Sequence, residues 1–151
     1  MYEYFVPPFQ AAVDAGIATG MESYGDINGD AMASSKRYLN DLLRDEMKFE
    51  GMLVTDWNEI NNLHTFHKVA DSLKDAVRIA MLQTSIDMSM VPYDASFADY
   101  LWELVEEGAV PEGRVDASAA RILQTKKRLG IMPQFRGPNG EPGNPFLVAE
   151  V

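Results

Sequence analysis

The sequence predicts an α/β fold built around a parallel sheet, and three observations carry that prediction. The short apolar run at residues 52–54 lacks the strict alternation of a half-exposed strand, as a strand covered on both faces does. Longer stretches of helical periodicity separate the strand-like runs, so strands and helices alternate along the chain, which is the pattern of right-handed βαβ units. The run Met52-Leu53-Val54 then stops on the ionisable Asp56 and the aromatic Trp57. The C-terminal ends of parallel strands are where barrels of this class present their chemistry, because the loops there line the pocket.

Taken in order, residues 5–16 read as a helix, with Pro7 and Pro8 in a first turn where a missing N–H costs little and Gly16 as a stop. A strand is expected over 18–24, followed by the turn-rich stretch 25–30. Asn28-Gly29 is a hairpin signal, but no matching strand is visible after it, so a strand-to-helix loop is expected there. Ser34 or Ser35 can cap the next helix, whose Tyr38, Leu39, Leu42, Leu43 and Met47 form an apolar stripe. The central strand and Asp56-Trp57 come next, then a polar loop over 58–68 and a helix over 69–84 with Leu73, Ala76, Val77, Ala80 and Met81 on one face. A third strand over 85–91 is stopped by Pro92. Helices are expected over 95–107 and 116–129, the latter ended by Gly130. About three strands are visible, fewer than the eight of a closed barrel. The stretch 132–151 holds four prolines, Pro133, Pro138, Pro142 and Pro145, and is expected to be a linker or tail. The domain expectation is therefore 1–131 for the partial barrel domain and 132–151 for the tail.

Composition narrows the function classes. Of 151 residues, 13 are Lys or Arg and 23 are Asp or Glu, a formal charge of −10 with no basic patch. A nucleic-acid partner would call for clustered cations and is not expected. No apolar run approaches the roughly 20 residues that cross a bilayer, so no membrane partner is expected. Residues after Met1 have neither the basic region nor the apolar stretch of a signal peptide. Without cysteine there is no thiol nucleophile and no thiolate metal site. His64 and His67 are three apart, which suits either a metal pair on a helical face or two ordinary loop histidines. No third ligand stands at a helpful spacing, and no metal is expected. The GxGxxG, P-loop and GxSxG patterns are absent. Met88 and Met90 share one face of the third strand, and core filling is the expected role of that face.

At the central strand end, a carboxylate beside an indole suits a carbohydrate site, the acid supplying charge or a nucleophile and the ring a platform for a sugar face. A helix cap or a salt bridge is the alternative role for Asp56.

Met21-Glu22-Ser23-Tyr24, Asn28-Gly29, Leu42-Leu43-Arg44, Lys48-Phe49-Glu50-Gly51 and Val54-Thr55-Asp56-Trp57 occur in that order. Ile86-Asp87-Met88-Ser89-Met90-Val91-Pro92 follows, and then Arg121-Ile122-Leu123 with Lys126 to Gly130. Together these motifs resemble glycoside hydrolase family 3, in its β-glucosidase and exo-β-glucanase branch, from Tyr2 to about Phe135. The resemblance implies the C-terminal part of a TIM-type (β/α)8 barrel, about three βα units. It implies retaining hydrolysis of terminal β-D-glucosyl residues of a β-glucoside or β-glucan oligosaccharide, without a cofactor. By residue, it implies Asp56 as the nucleophile, Trp57 as the aromatic wall beside the leaving sugar, and Met21, Tyr24 and Met90 lining the substrate pocket. Secreted, periplasmic or lysosomal settings are what the family suggests. Two positions depart from the family pattern: Gly25 stands where Asn is common, and Thr55 replaces Ser while keeping the hydroxyl. The family's other sugar-gripping residues, and its acid/base Glu in a following sandwich domain, have no match in this sequence. The expected partners are therefore the missing barrel half and that sandwich domain. A non-catalytic sugar-binding relative and a self-associating half-barrel module are the two alternatives.

Overall fold

The computed structural model describes residues 1–131, and the stretch 132–151 lies outside the described residues. Three strands form a parallel sheet in the order β1-β4-β5: β1 is Thr19–Met21, β4 Met52–Trp57 and β5 Met88–Met90. The register sets Met21 beside Val54, Val54 beside Met88, and Trp57 beside Met90. All three strands thus end on the same side of the sheet. The helices α1 (Val6–Asp14), α2 (Glu59–Thr65), α3 (Leu73–Gln83), α4 (Ser96–Glu106) and α5 (Glu112–Arg128) surround it, together with a π-helix at Arg37–Glu46. The core joins Leu39, Phe49, Leu53, Ile60, Leu63, Val77, Met81 and Ile86, apolar side chains from the π-helix, from β4 and the segments that lead into β4 and β5, and from α2 and α3.

The alternation of elements is as expected, and local chemistry explains where their bounds differ. Pro7 lies in the first turn of α1, and Gly16, at φ +82°, follows its end. The stretch 25–30 is a hairpin rather than a simple loop. Strands β2 (Asp26–Ile27) and β3 (Asp30–Ala31) pair antiparallel around Asn28 and Gly29, which take φ of 56° and 83°. Two positive φ values at the centre of a two-residue loop match the twist of a hairpin, and the Asp26 carboxylate accepts the Gly29 N–H at 2.7 Å. Of the two candidate caps for the π-helix, Ser35 accepts the Tyr38 N–H, while its own hydroxyl donates to Asp30 at 2.6 Å. The expected polar loop 58–68 contains α2, which starts at an Asn58 in the left-handed region, φ 59°. Helix α3 begins at Leu73 rather than 69 because Ser72 caps it, accepting the Asp75 N–H at 3.1 Å. Helix α5 begins at Glu112, directly after Pro111.

Two features fix β4 in place. A Cβ on Gly51 would lie 2.4 Å from the Ala18 carbonyl oxygen, so only glycine lets the chain pass β1 at this point. The buried Asp87 then gathers β4, β5, α5 and the π-helix. Its Oδ2 accepts the Leu53 N–H at 3.0 Å and Arg44 at 3.1 Å, and its Oδ1 accepts Ser118 and Arg121, each at 2.8 Å. Arg44 also donates to the Phe49 and Gly51 carbonyls at 2.7 Å each. Burial, followed by the nearby Arg121 charge, brings the Arg44 guanidinium down to about 10. With carboxylate and guanidinium both fully hydrogen-bonded, the cost of burying the charges is largely offset, and the network sets the register on which the strand ends depend.

Both outer edges of the sheet, on β1 and β5, are unpaired among the described residues. Beside β1, an apolar crevice of about 570 Å³ opens between α1, β1 and the π-helix, lined by residues such as Phe5, Phe9, Met21 and Phe49.

Candidate active site at the strand ends

Asp56 is the penultimate residue of β4, between the fully buried Thr55 and the half-exposed Trp57. This follows from the pleat: Leu53 and Thr55 point to the covered side and are buried, while Val54 and Asp56 are only partly so. The Thr55 hydroxyl accepts the Met90 N–H at 2.9 Å and donates to the Asp56 carbonyl at 2.7 Å. This hydroxyl therefore ties the end of β5 to the end of β4. The Asn58 N–H completes the tie at the Met90 carbonyl, 2.9 Å away. The Asp56 carboxylate accepts the Trp57 N–H at 2.6 Å, which turns one of its oxygens back on the chain.

The structure brings all five expected residues to one end of the sheet. Met21 closes β1, Tyr24 follows three residues later, Asp56 and Trp57 end β4, and Met90 ends β5. Tyr24 faces Asp56. Partial desolvation, then the Asp56 charge and a hydrogen bond to it, push the Tyr24 hydroxyl above its ordinary value. Trp57 is 46% exposed, so its ring is a surface rather than a core block. Met88 and Met90 do not fill the core as expected: Met88 is exposed and Met90 half-buried. The strand is three residues long and, among the described residues, lies at the edge of the sheet. Gly25 is held by the hairpin that follows, its carbonyl accepting the Met32 N–H at 3.1 Å.

Three further residues belong to this end of the sheet, and the sequence reasoning assigned them no role. Tyr93 is 92% exposed and meets Trp57 edge-on, with ring centroids 5.9 Å apart, across a small cleft also lined by Asn58, Pro92 and Asp94. Beneath Asp56 lie two buried acids. Glu59, at the start of α2, is fully buried, and its carboxylate meets His67 Nε2 at 3.1 Å and accepts from Asn62 at 2.8 Å. That contact accounts for His67, while His64 Nδ1 meets the Ala70 carbonyl at 2.9 Å. The two histidines thus have separate partners, and no group of metal-ligating side chains occurs among the described residues. Glu22 is 5% exposed and accepts the Asp56 N–H on Oε1 at 3.1 Å. Burial, reinforced by the charges of Glu59 and Asp56 and only partly offset by that hydrogen bond, pushes its carboxyl up to about 8. No periodicity flags Glu22, because the strand it follows is three residues long. The ring contact between Trp57 and Tyr93 is visible only once β4 and β5 are paired.

This arrangement can present one carboxylate at a strand end, flanked by a phenol and an indole, to a ligand above the sheet. Residues 1–125 match the family model described as the glycosyl hydrolase family 3 N-terminal domain, a TIM-barrel-like α/β fold. The chain belongs to glycoside hydrolase family 3. It is 45% identical over 138 residues, 90% of the chain, to the lysosomal beta glucosidase of Dictyostelium discoideum, of which it covers 17%. It is 32% identical over 135 residues, 85% of the chain, to a beta-xylosidase of Formosa agariphila, of which it covers 18%. Among solved structures, the β-glucosidase from Listeria innocua in complex with glucose superposes with a TM-score of 0.77 at 29% identity, covering 83% of this chain and 17% of that one. The chain therefore spans less than a fifth of the length of these relatives.

Proposed function

We propose that this chain is the C-terminal part of the family's barrel, residues 1–131, and carries the nucleophile of a retaining β-glucosidase. Residues 132–151 lead from it toward a second domain. The observation that carries this function is the position of Asp56: a partly accessible carboxylate at the C-terminal end of the central parallel strand, with the Tyr24 phenol facing it and Trp57 beside it. Asp56 attacks the anomeric carbon of a terminal β-D-glucosyl unit, and the glycosidic oxygen leaves with a proton from an acid. A glycosyl ester on Asp56 results, and water then hydrolyses it with the same acid group acting as base. The Tyr24 phenol flanks the carboxylate. Met21 and Met90 line the terminal-sugar pocket, and Trp57 offers its face to the leaving sugar. The glucose held by the Listeria innocua enzyme supports a glucosyl ligand here.

Two displacements make net retention, so the product's first-formed anomer tests the mechanism. Proton NMR during hydrolysis of an aryl β-glucoside, by an active protein containing this chain, is expected to record β-glucose before mutarotation. Initial α-glucose would overturn the retaining reading.

Trp57→Ala is expected to raise KM for aryl or longer glucosides several-fold and to leave the fold intact. It removes a half-exposed stacking surface worth about 1 kcal/mol and no buried core volume. Steady-state kinetics together with a thermal melt check this. A collapse of soluble protein would instead give Trp57 a core role.

A further inference from the structure

We propose that Glu22 is a positioning residue for Asp56, held as a neutral acid beneath the strand end so that Asp56 alone carries negative charge toward the substrate. This role rests on Asp56 being the nucleophile. The geometry comes first. Glu22 is 5% exposed, its Oε1 accepts the Asp56 N–H at 3.1 Å, and its Oε2 is buried without a hydrogen-bond partner. Among the described residues it forms no ion pair. A buried carboxylate with one bare oxygen and no cation is strongly disfavoured, whereas the neutral acid needs only a modest accommodation.

The charged groups around it point the same way. Asp56 on β4 and Glu59 on α2 are the ionisable groups that act on Glu22, and both are acidic. His67 is spent on Glu59, and the Tyr24 phenol faces Asp56. Ionising Glu22 would therefore place a second negative charge against the backbone of the nucleophile. The backbone matters as well. The Glu22 N–H donates to the Val54 carbonyl at 3.0 Å, so Glu22 continues the β1–β4 ladder and grips Asp56 with its side chain two residues further along β4. That double attachment couples the end of β1, which bears Met21 and Tyr24, to the carboxylate they surround.

The linkage has a definite sign. An ordinary carboxyl ionises near 4.5 once the chain unfolds, while Glu22 in the fold holds its proton to about 8. Its contribution to stability is complete below about pH 4.5 and is lost as pH rises toward 8, because in that window the unfolded state gives up a proton that the fold retains.

The test uses the 151-residue chain with Glu22→Gln and Glu22→Ala. The Asp56 backbone amide, followed by ¹H–¹⁵N NMR from pH 4 to 10, reports directly on the oxygen it donates to. The expected result is a transition near pH 8 in the wild type that Glu22→Gln removes. Gln keeps the carbonyl acceptor, so the neutral-pH position of that amide resonance stays at its wild-type value. Glu22→Ala is expected to displace the resonance and the Asp56 carboxyl ¹³C shift together. Thermal melts should show stability falling from pH 5 to 8 in the wild type and a flatter profile in Glu22→Gln. An Asp56 amide with no transition near pH 8, or one that Glu22→Gln leaves in place, overturns the proposal. So does an Asp56 carboxyl shift that Glu22→Ala does not move. None of these readouts depends on Asp56 attacking a sugar. If the amide titrates as expected while Asp56→Asn keeps full turnover in an active protein, the nucleophile assignment fails and the Glu22 geometry stands.

Discussion

Asp56→Asn is expected to lower turnover of a β-glucoside on the order of ten-thousandfold in an active protein containing this chain, the scale at which loss of a covalent nucleophile registers. The substitution keeps the volume and shape of the side chain and removes only the charge that attacks the anomeric carbon. It also keeps an oxygen to accept the Trp57 N–H, which the carboxylate now holds at 2.6 Å. The ladder contacts through Thr55 and Asn58 do not involve the Asp56 side chain. Folding should therefore be preserved, and the melting temperature should stay within a few degrees of wild type. Near-normal turnover from a folded Asp56→Asn variant would remove Asp56 from the reaction.

The 151-residue chain on its own is expected to show no appreciable β-glucosidase activity and to associate in solution. Retaining hydrolysis needs a second carboxyl about 5–5.5 Å from the nucleophile, on the leaving-group side, to protonate the departing oxygen. The acids next to Asp56 in this chain cannot take that role. Glu59 is fully buried and bound to His67 and Asn62, and Glu22 lies under the strand end against the Asp56 N–H. Association follows from the surface. Among the described residues β1 and β5 have open edges, and the crevice beside β1 is bordered by Phe5 and Phe9, both well exposed. Open parallel edges and a contiguous apolar surface favour burial against another copy. A chromogenic aryl β-glucoside assay and light scattering on one preparation check both halves. A monomer that turns over like an ordinary glycosidase would contradict them.

The sequence carried the order of elements and the position of the candidate nucleophile because both rest on strong local signals. The run Met52-Leu53-Val54 is apolar, short and followed at once by an acid and an indole, and it became the central strand with those two residues at its end. The helix of Leu73, Ala76, Val77, Ala80 and Met81 was equally legible, since a stripe of that width leaves no other buried face. The hairpin at Asn28-Gly29 was signalled by its turn and concealed by its strands: two residues each are too few to show any alternation. Helix α2 was concealed by its polarity. Glu59, Asn61, Asn62 and His64 read as loop, yet Ile60 and Leu63 are buried, and the polar groups are satisfied by Asn58, His67 and the Ala70 carbonyl. The roles of Asp87, Arg44 and Glu22 were out of reach for a different reason. Each depends on partners more than 30 residues away, and nothing in a single sequence marks a charged side chain as buried.

The most direct measurement is to identify the residue that a β-glucoside esterifies. A 2-deoxy-2-fluoro β-glucoside with an activated leaving group slows the second displacement and traps the glycosyl-enzyme. Proteolysis and mass spectrometry of an active protein containing this chain then locate the sugar. The expected adduct is on Asp56, in the peptide that runs through Leu53-Val54-Thr55-Asp56-Trp57. An adduct on any other residue, with Asp56 unmodified, would contradict the assignment of the nucleophile to the end of β4.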